Sequence, residues 1–112
     1  MATEPTPAAT YAEHCRRGEL AYQVGSDGAA VFYPRLDLAW RVSAGLGTVH
    51  ATTVVHRRDE EPYNVALIDL DEGFRMMSRV ETIAPEQVRI GLRVRVRFDE
   101  AHDPPLPVFD PA

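Results

Sequence analysis

The chain has 112 residues, which is enough for one domain with one modest hydrophobic core and too few for two. Its formal net charge of −5 counts against a duplex-binding protein, because such domains are usually basic, although a local basic stripe is still compatible with that charge. A single cysteine excludes an intramolecular disulfide, and residues 1–10 lack the basic start and apolar run of a signal peptide, so we expect a reduced, cytoplasmic protein.

The N-terminal third of the chain predicts a disordered arm, a helix and a hairpin. Residues 1–8 are rich in Ala, Pro and Thr and are interpreted as the arm. Residues 9–20 predict a short helix, whose sparse apolar positions indicate that it lies against another surface. The turn-forming residues 25–28 separate two short strand patterns, at 20–24 and 29–33, and this arrangement predicts a hairpin.

The rest of the chain follows the element order of a small β-barrel. Strand patterns cover residues 38–42, 47–56, 63–70, 74–80, 90–98 and 106–109, and a helical turn fits at 82–88. The long 47–56 segment lies in a glycine-containing run, so we expect it to bend and to enter both halves of a barrel. We predict an all-β protein: a five-stranded OB-fold Greek-key barrel at residues 38–112, preceded by a lobe at residues 9–37.

The clearest pattern runs from Ile90 to Phe98, where apolar residues alternate strictly with polar ones and glycine. This period of two predicts a strand with one buried face and one solvated face. The solvated face carries Arg93, Arg95 and Arg97, which could bind the phosphates of nucleic acid or of coenzyme A. We favour a solvated face paired with acidic neighbours, because no strand here alternates arginine with aromatic residues as single-strand binders do.

No group of residues in the sequence predicts catalysis. Cys15 follows His14, but adjacent residues on a helix do not face each other. His50 and His56 would share one strand face, yet two histidines do not complete a zinc site. The carboxylates of residues 69–72 crowd a turn, where acidic residues are ordinarily solvated. A self-sufficient enzyme would need a converging nucleophile or acid–base pair, so we predict a binding or assembly role.

Several longer segments resemble one family of proteins. These segments are Trp40–Val49, Thr53–Arg57, Pro62–Gly73, Val88–Phe98 and the ending Leu106–Phe109. Together they resemble the OB-fold proteins that join a rubredoxin-like zinc ribbon to a C-terminal OB domain, and the resemblance extends from Tyr11 to Ala112. It implies a small subunit that accompanies thiolase-like enzymes, lipid-transfer-protein-like aldolases or hot-dog-fold enoyl-CoA hydratases, with the catalytic residues on the larger partner.

The chain departs from this family at the zinc ribbon. The family ribbon has two Cys-x-x-Cys-like knuckles; here the first falls at Val24–Asp27 and the second at residues 36–38, and neither contains cysteine. The resemblance therefore implies a degenerate ribbon that binds no metal. We expect the hairpin to persist through the packing of Val24, Val31, Phe32 and Leu38.

The resemblance implies a non-catalytic accessory subunit of a heteromeric acyl-CoA enzyme, with a thiolase-like partner preferred. The alternatives are a partner of an aldolase or enoyl-CoA hydratase in side-chain degradation, and a single-stranded nucleic-acid-binding OB module. The predicted partner contacts are Tyr11, Cys15, Arg16, Phe32, Tyr33, Pro34, Arg35, His56 and Tyr63. The predicted cations for coenzyme A phosphates are Arg35, Arg57 and Arg58. We predict no cofactor or metal on this chain itself; a coenzyme A thioester would be the substrate of the complex.

Overall fold

A computed structural model describes residues 6–32 and 38–112. Its elements are helix α1 (Pro7–Arg16), strands β1 (Ala21–Val24), β2 (Ala30–Val31), β3 (Ala39–Val42), β4 (Leu46–Val55), β5 (Tyr63–Leu70) and β6 (Arg75–Ser78), a one-turn 3-10 helix (Pro85–Gln87), and strands β7 (Arg93–Asp99) and β8 (Leu106–Pro111). Strands β2-β1-β3 form one sheet, and β6-β5-β4-β7-β8 form a second sheet in the order of an OB barrel. None of the helices in this part of the chain is long and apolar enough to cross a membrane.

Helix α1 begins and ends where its caps place it. The Thr6 hydroxyl oxygen accepts a hydrogen bond from the Ala9 amide at 3.1 Å, and proline occupies the first helical position. At the other end Gly18 adopts a φ of +73°, and the Glu19 amide donates to the His14 carbonyl at 2.9 Å. The helix therefore starts two residues before the predicted boundary, inside the segment interpreted as an arm, and ends earlier than predicted.

The predicted hairpin forms, and a third strand joins it. Gln23 of β1 lies opposite Val31 of β2 on one side and opposite Trp40 of β3 on the other. The hairpin turn is held by the Ala29 amide, which donates to the Asp27 carboxylate at 3.0 Å. Strand β3, on the C-terminal side of the proposed division at residue 38, thus belongs to the sheet of the N-terminal lobe; the division itself stays a prediction.

The long strand β4 is the centre of the barrel. It pairs with β5 along nearly its whole length and with β7 at its beginning. The expected irregularity is a register shift between Val49 and Ala51. Gly47 allows β4 and β5 to approach closely, because a Cβ atom there would lie 2.7 Å from the Asp69 carbonyl oxygen. β4 therefore combines a bulge with a close contact that only glycine accommodates.

The two edges of the five-stranded sheet meet at one parallel bridge, between Val80 and Phe109. The Phe109 amide donates to the Arg79 carbonyl at 3.0 Å, and the Glu81 amide donates to the Phe109 carbonyl at 2.7 Å. The buried Asn64 supports this bridge, because its Oδ1 accepts a hydrogen bond from the Val80 amide at 2.9 Å. The barrel is thus joined by a short seam beside β6.

The lobe and the barrel share one hydrophobic core, which contains Val24. Phe74, in the turn between β5 and β6, stacks on Tyr22 with ring centroids 4.9 Å apart and on Phe32 at 5.4 Å. Tyr11 of α1 meets the Phe32 ring edge-on at 5.9 Å. Such pairs contribute about 0.5–1.5 kcal/mol each beyond the burial of their area. Aromatic packing therefore holds the lobe on the barrel.

The segment that leads from the lobe into the barrel is fixed by a carboxylate. The Ser43 hydroxyl donates to Glu72 Oε1 at 2.7 Å, and the Ala44 amide donates to Glu72 Oε2 at 2.9 Å. The next residue, Gly45, has a φ of +79°, and a Cβ atom there would clash with Cγ1 of Val96. The path of the chain from the lobe into the barrel is therefore fixed by side-chain hydrogen bonds and by the backbone conformation of Gly45.

Removing the Glu72 carboxylate should destabilise the fold. Glu72→Ala leaves the buried Ser43 hydroxyl without its acceptor, so we expect the free energy of unfolding to fall by about 1–3 kcal/mol. Urea unfolding followed by circular dichroism measures this change. Glu86→Ala, at an exposed position in the 3-10 helix, is the matched control, and an equal effect of both variants would contradict the assigned role.

Candidate functional site

The arginine stripe of β7 is largely neutralised by carboxylates of this chain. Two guanidinium nitrogens of Arg93 donate to the two Asp71 oxygens at 2.7 and 2.8 Å. Arg97 donates to Asp110 at 2.8 Å and to Glu81 at 2.7 Å. The Arg93 guanidinium also holds the pKa of the Asp71 carboxyl below its usual range. The interpretation of a solvated face with acidic partners is confirmed for Arg93 and Arg97.

Ile90 and Arg95, two other positions of the alternating pattern, do not follow the pairing seen for Arg93 and Arg97. Ile90, expected at the head of the buried row, is 71% exposed, so this expectation was wrong. Strand β7 begins only at Arg93, because Gly91 turns the chain with a φ of +92° and donates its amide to the Val49 carbonyl. Within residues 6–32 and 38–112, Arg95 has no ion-pair partner.

Among the described residues, one of the partner contacts predicted on the lobe, Cys15, is buried. Tyr11 and Phe32 are half-buried against the core. Cys15 is 1% exposed, and burial raises the pKa of its thiol. Burial also raises the pKa of Tyr11, with the neighbouring Cys15 as a further cause. Arg16 is exposed and pairs with Glu13 at 2.6 Å. Cys15 can thus support a partner only by holding α1 in place, while the contacts themselves stay predictions. Three further predicted residues, Tyr33, Pro34 and Arg35, lie outside the described residues.

The other predicted contacts lie in the loop between β4 and β5. His56, Arg57 and Arg58 are exposed there, and Tyr63 begins β5. The guanidinium carbon of Arg57 lies 5.8 Å from the centre of the Tyr63 ring. The guanidinium of Arg79, which the sequence analysis did not select, lies over the same ring at 5.2 Å. The structure therefore gathers two cations around Tyr63.

A largely apolar surface begins at Tyr63 and covers the outside of three strands. We define the outer β4–β6 face by its exposed or half-buried residues Ala51, Thr53, Val65, Leu67 and Met77. Together with Thr52 and Ala66 they line an open groove of about 240 Å³. A second groove, of about 210 Å³, shares Val65 and Met77 and extends to Leu106 and Pro107. The shared residues make the two grooves one continuous surface.

The far end of the outer β4–β6 face is closed by an ion cluster. Asp69 accepts hydrogen bonds from Arg75, and His50 Nδ1 lies 3.3 Å from the same carboxylate. The Arg75 hydrogen bond is the main reason that the pKa of Asp69 lies below its ordinary value. The centre of the face, between this cluster and Tyr63, carries no charged side chain among the described residues.

This face was missed in the sequence although β5 carries its signal. The buried side of β5 holds Ala66, Ile68 and Leu70, as the alternation predicts. The other side holds Val65 and Leu67, so the strand is apolar on both sides in the way typical of strands covered on both faces. In OB barrels the second and third strands, here β5 and β6, also form the usual ligand-binding face.

The ribbon positions do not fit a zinc ion. The turn at Val24–Asp27 offers one carboxylate and no thiol or imidazole, and that carboxylate already accepts the Ala29 amide. Residues 36–38 are Leu-Asp-Leu, of which the first two lie outside the described residues. Within the part of the chain that is described, no three His, Cys, Asp or Glu side chains come together as a metal site.

Comparison with known proteins identifies related sequences. Residues 40–99 match the family model described as ChsH2, C-terminal OB-fold domain. The chain is 42% identical over 76 residues to a probable enoyl-CoA hydratase alpha subunit of Thermomonospora curvata, covering 62% of this chain and 24% of that protein. It is 35% identical over 60 residues to a DUF35 domain-containing scaffold protein of Methanocaldococcus jannaschii, covering 49% of this chain and 43% of the scaffold. The chain thus spans less than half of either curated relative.

A solved structure matches over nearly its full length. It is the Ltp2-ChsH2(DUF35) aldolase, with a TM-score of 0.84, 28% sequence identity, and coverage of 99% of this chain and 98% of the matched chain. With the family match, this likeness confirms the predicted OB-fold class and the predicted acyl-CoA-associated OB-fold family.

The Arg93–Asp71 pair should be visible in an acid titration. We expect Asp71 to titrate below the usual aspartate range, and Arg93→Gln to return its pKa to that range. Because the pKa is lowered in the fold, the pair stabilises the protein above the ordinary aspartate pKa and loses this effect as the pH falls through the lowered value. NMR titration of the side-chain carboxyl measures both, and an unchanged value in the variant would contradict the assignment.

The interior position of Cys15 should make it slow to react. We expect a thiol reagent to label the native protein far more slowly than the urea-unfolded protein, because the thiol is buried and its pKa is raised. The raised pKa also means that the neutral thiol stabilises the fold at neutral pH, an effect lost as the pH rises through that value. Mass spectrometry follows the labelling, and equal rates in both states would show that the lobe is open.

Proposed function

Because the chain belongs to the family of ChsH2 C-terminal OB-fold domains, we propose that it is an accessory subunit of a heteromeric acyl-CoA enzyme. The observation that carries this proposal is the match along nearly all of this chain and nearly all of its counterpart in the Ltp2-ChsH2(DUF35) aldolase. The hydratase and scaffold relatives support the same role from sequence.

The proposed partner is the larger subunit of an aldolase or an enoyl-CoA hydratase. The first preference from the sequence, a thiolase-like enzyme, is a broader description, whereas the names of the relatives support these two classes. Nucleic acid is a weaker candidate, because Arg93 and Arg97 already hold carboxylates of this chain. We place the complex in the cytoplasm, where the single cysteine of this chain stays reduced.

We propose that the larger subunit carries the catalytic groups. The thiol of Cys15 is buried and kept neutral by its raised pKa, so it is a poor nucleophile. His50 is exposed at the surface ion cluster, and His56 is exposed in a loop, so neither lies in an enclosed site suited to proton transfer. The DUF35 scaffold relative is in line with this non-catalytic role.

For coenzyme A, the proposed contacts of this chain are the cations of the β4–β5 loop. Arg57 and Arg58 are exposed, and within residues 6–32 and 38–112 neither forms an ion pair. A guanidinium free of carboxylates can donate two hydrogen bonds to one phosphate. Arg35 is proposed from the sequence alone. This chain would thus help to hold a thioester substrate whose reaction takes place on its partner.

Recovery of the complex from its native cytoplasm tests the proposed function. We expect the tagged chain to retain an aldolase or hydratase subunit in a near-equal molar ratio, and the chain alone to show no turnover of an acyl-CoA. Mass spectrometry and a coenzyme A release or hydration assay provide the two readouts, with a tag-only sample as control. Turnover by the isolated chain, or recovery with single-stranded nucleic acid and no enzyme subunit, would overturn the proposal.

A further inference from the structure

We propose that the outer β4–β6 face is the surface by which this chain docks on the larger subunit of its enzyme. The inference rests on the proposed function, which supplies the partner, and it adds a location that the sequence did not select. The occupant is a protein surface of that subunit, apolar at its centre and bearing a carboxylate where it meets the Tyr63 end.

The outer β4–β6 face leaves several neighbouring apolar side chains exposed to water. Met77 is 70% exposed and Leu106 is 42% exposed, and both line the joined grooves. Val65 and Leu67 continue the same surface along β5. Monomeric proteins seldom expose contiguous apolar patches of large extent, whereas scattered single residues are ordinary. The grouping of these four residues on neighbouring strands therefore indicates an interface.

A partner could cover this face at little electrostatic cost. Asp69 at one end is already paired with Arg75, and Arg79 at the other end lies 3.6 Å from Glu81. Covering the face would therefore bury few charges without partners, which is the usual condition at the centre of an interface. A nucleic-acid strand would instead require cations and several stacking aromatic rings, and Tyr63 is the one aromatic side chain of this surface among the described residues.

The charges at the two ends of the face favour the larger subunit over a second copy of this chain. Both ends of the face carry arginine: Arg57 and Arg79 around Tyr63, and Arg75 at the ion cluster. A two-fold axis would bring one such end against another, whichever way the axis lies. Arg75 and Arg79 already hold carboxylates of this chain, whereas neither Arg57 nor Arg58 has one among the described residues. A different protein that supplies a carboxylate to Arg57, and leaves Arg58 for a coenzyme A phosphate, therefore complements the face better.

Two exposed apolar residues of equal accessibility allow a matched test. Met77 lies on the proposed surface, and Ile90, at 71% exposed, lines neither groove. We expect Met77→Glu to weaken the binding of the purified aldolase or hydratase subunit recovered with the wild-type chain by at least about tenfold, because it places a charge in an apolar contact. We expect Ile90→Glu to change the Kd by less than about twofold.

A second surface variant and a folding control keep the result interpretable. Thr53→Glu, at an exposed position opposite Val65, should weaken binding in the same direction as Met77→Glu. Circular dichroism and thermal unfolding of each variant confirm that the fold is intact before the Kd is measured by calorimetry. Arg57→Gln should weaken binding less, and the remaining affinity should depend less on salt.

The outcomes separate this proposal from the proposed function. If wild-type chain binds the enzyme subunit and both folded glutamate variants bind it equally well, the docking face is wrong while the accessory role stands. If the wild-type chain binds no such subunit, the accessory role fails first. Light scattering that shows a dimer of this chain, dissociated by Met77→Glu, would overturn the proposal in favour of a second copy.

Discussion

The turn between β5 and β6 is the constraint on which the rest of the structure depends. Its four residues, Asp71 to Phe74, reach three different parts of the molecule. Asp71 holds β7 through Arg93, Glu72 holds the chain where it enters the barrel, and Phe74 stacks on two aromatic rings of the lobe. Gly73 allows this spread, because its φ of +102° turns the backbone tightly between the last two contacts.

This arrangement positions the lobe by packing, whereas the ribbon positions of this chain contain no cysteine. A zinc ribbon is held by its own four ligands, whereas this lobe shares its core with the barrel. Phe74 comes from the barrel and Tyr22 from β1, so neither unit buries its aromatic surface alone. Folding of the lobe is therefore coupled to folding of the barrel. A partner that contacts both the lobe and the barrel meets them in one fixed orientation.

Much of the barrel was predictable because its strands alternate with a period of two. That rule predicted the segments of β5 and β7 and the buried row through Val94. It misplaced Ile90, because the chain turns at Gly91 and the strand begins later than the sequence pattern does. It also gave no sign that β3 pairs with β1, since strand partners are set by long-range packing that local patterns do not encode.

The candidate site, like the barrel, could be predicted from the sequence only in part. The cations near Tyr63 were selected from the loop sequence, and the structure added Arg79, which comes from a distant segment. The outer β4–β6 face could not be selected residue by residue, because Val65, Leu67 and Met77 each resemble ordinary core positions. They become a surface only once the barrel shows that the opposite sides of their strands already fill the interior.

The barrel is closed by a single bridge, between Val80 and Phe109, and not by a continuous ladder of hydrogen bonds. Every other neighbouring pair of strands is joined by a ladder, but this seam rests on two backbone hydrogen bonds at Phe109 and one side-chain bond from Ser78 to Pro107. Local opening of the barrel therefore requires the least free energy at this seam. The groove with Leu106 and Pro107 follows the same seam. A subunit docked there as proposed would hold the two edges together, and barrel closure would in turn favour assembly.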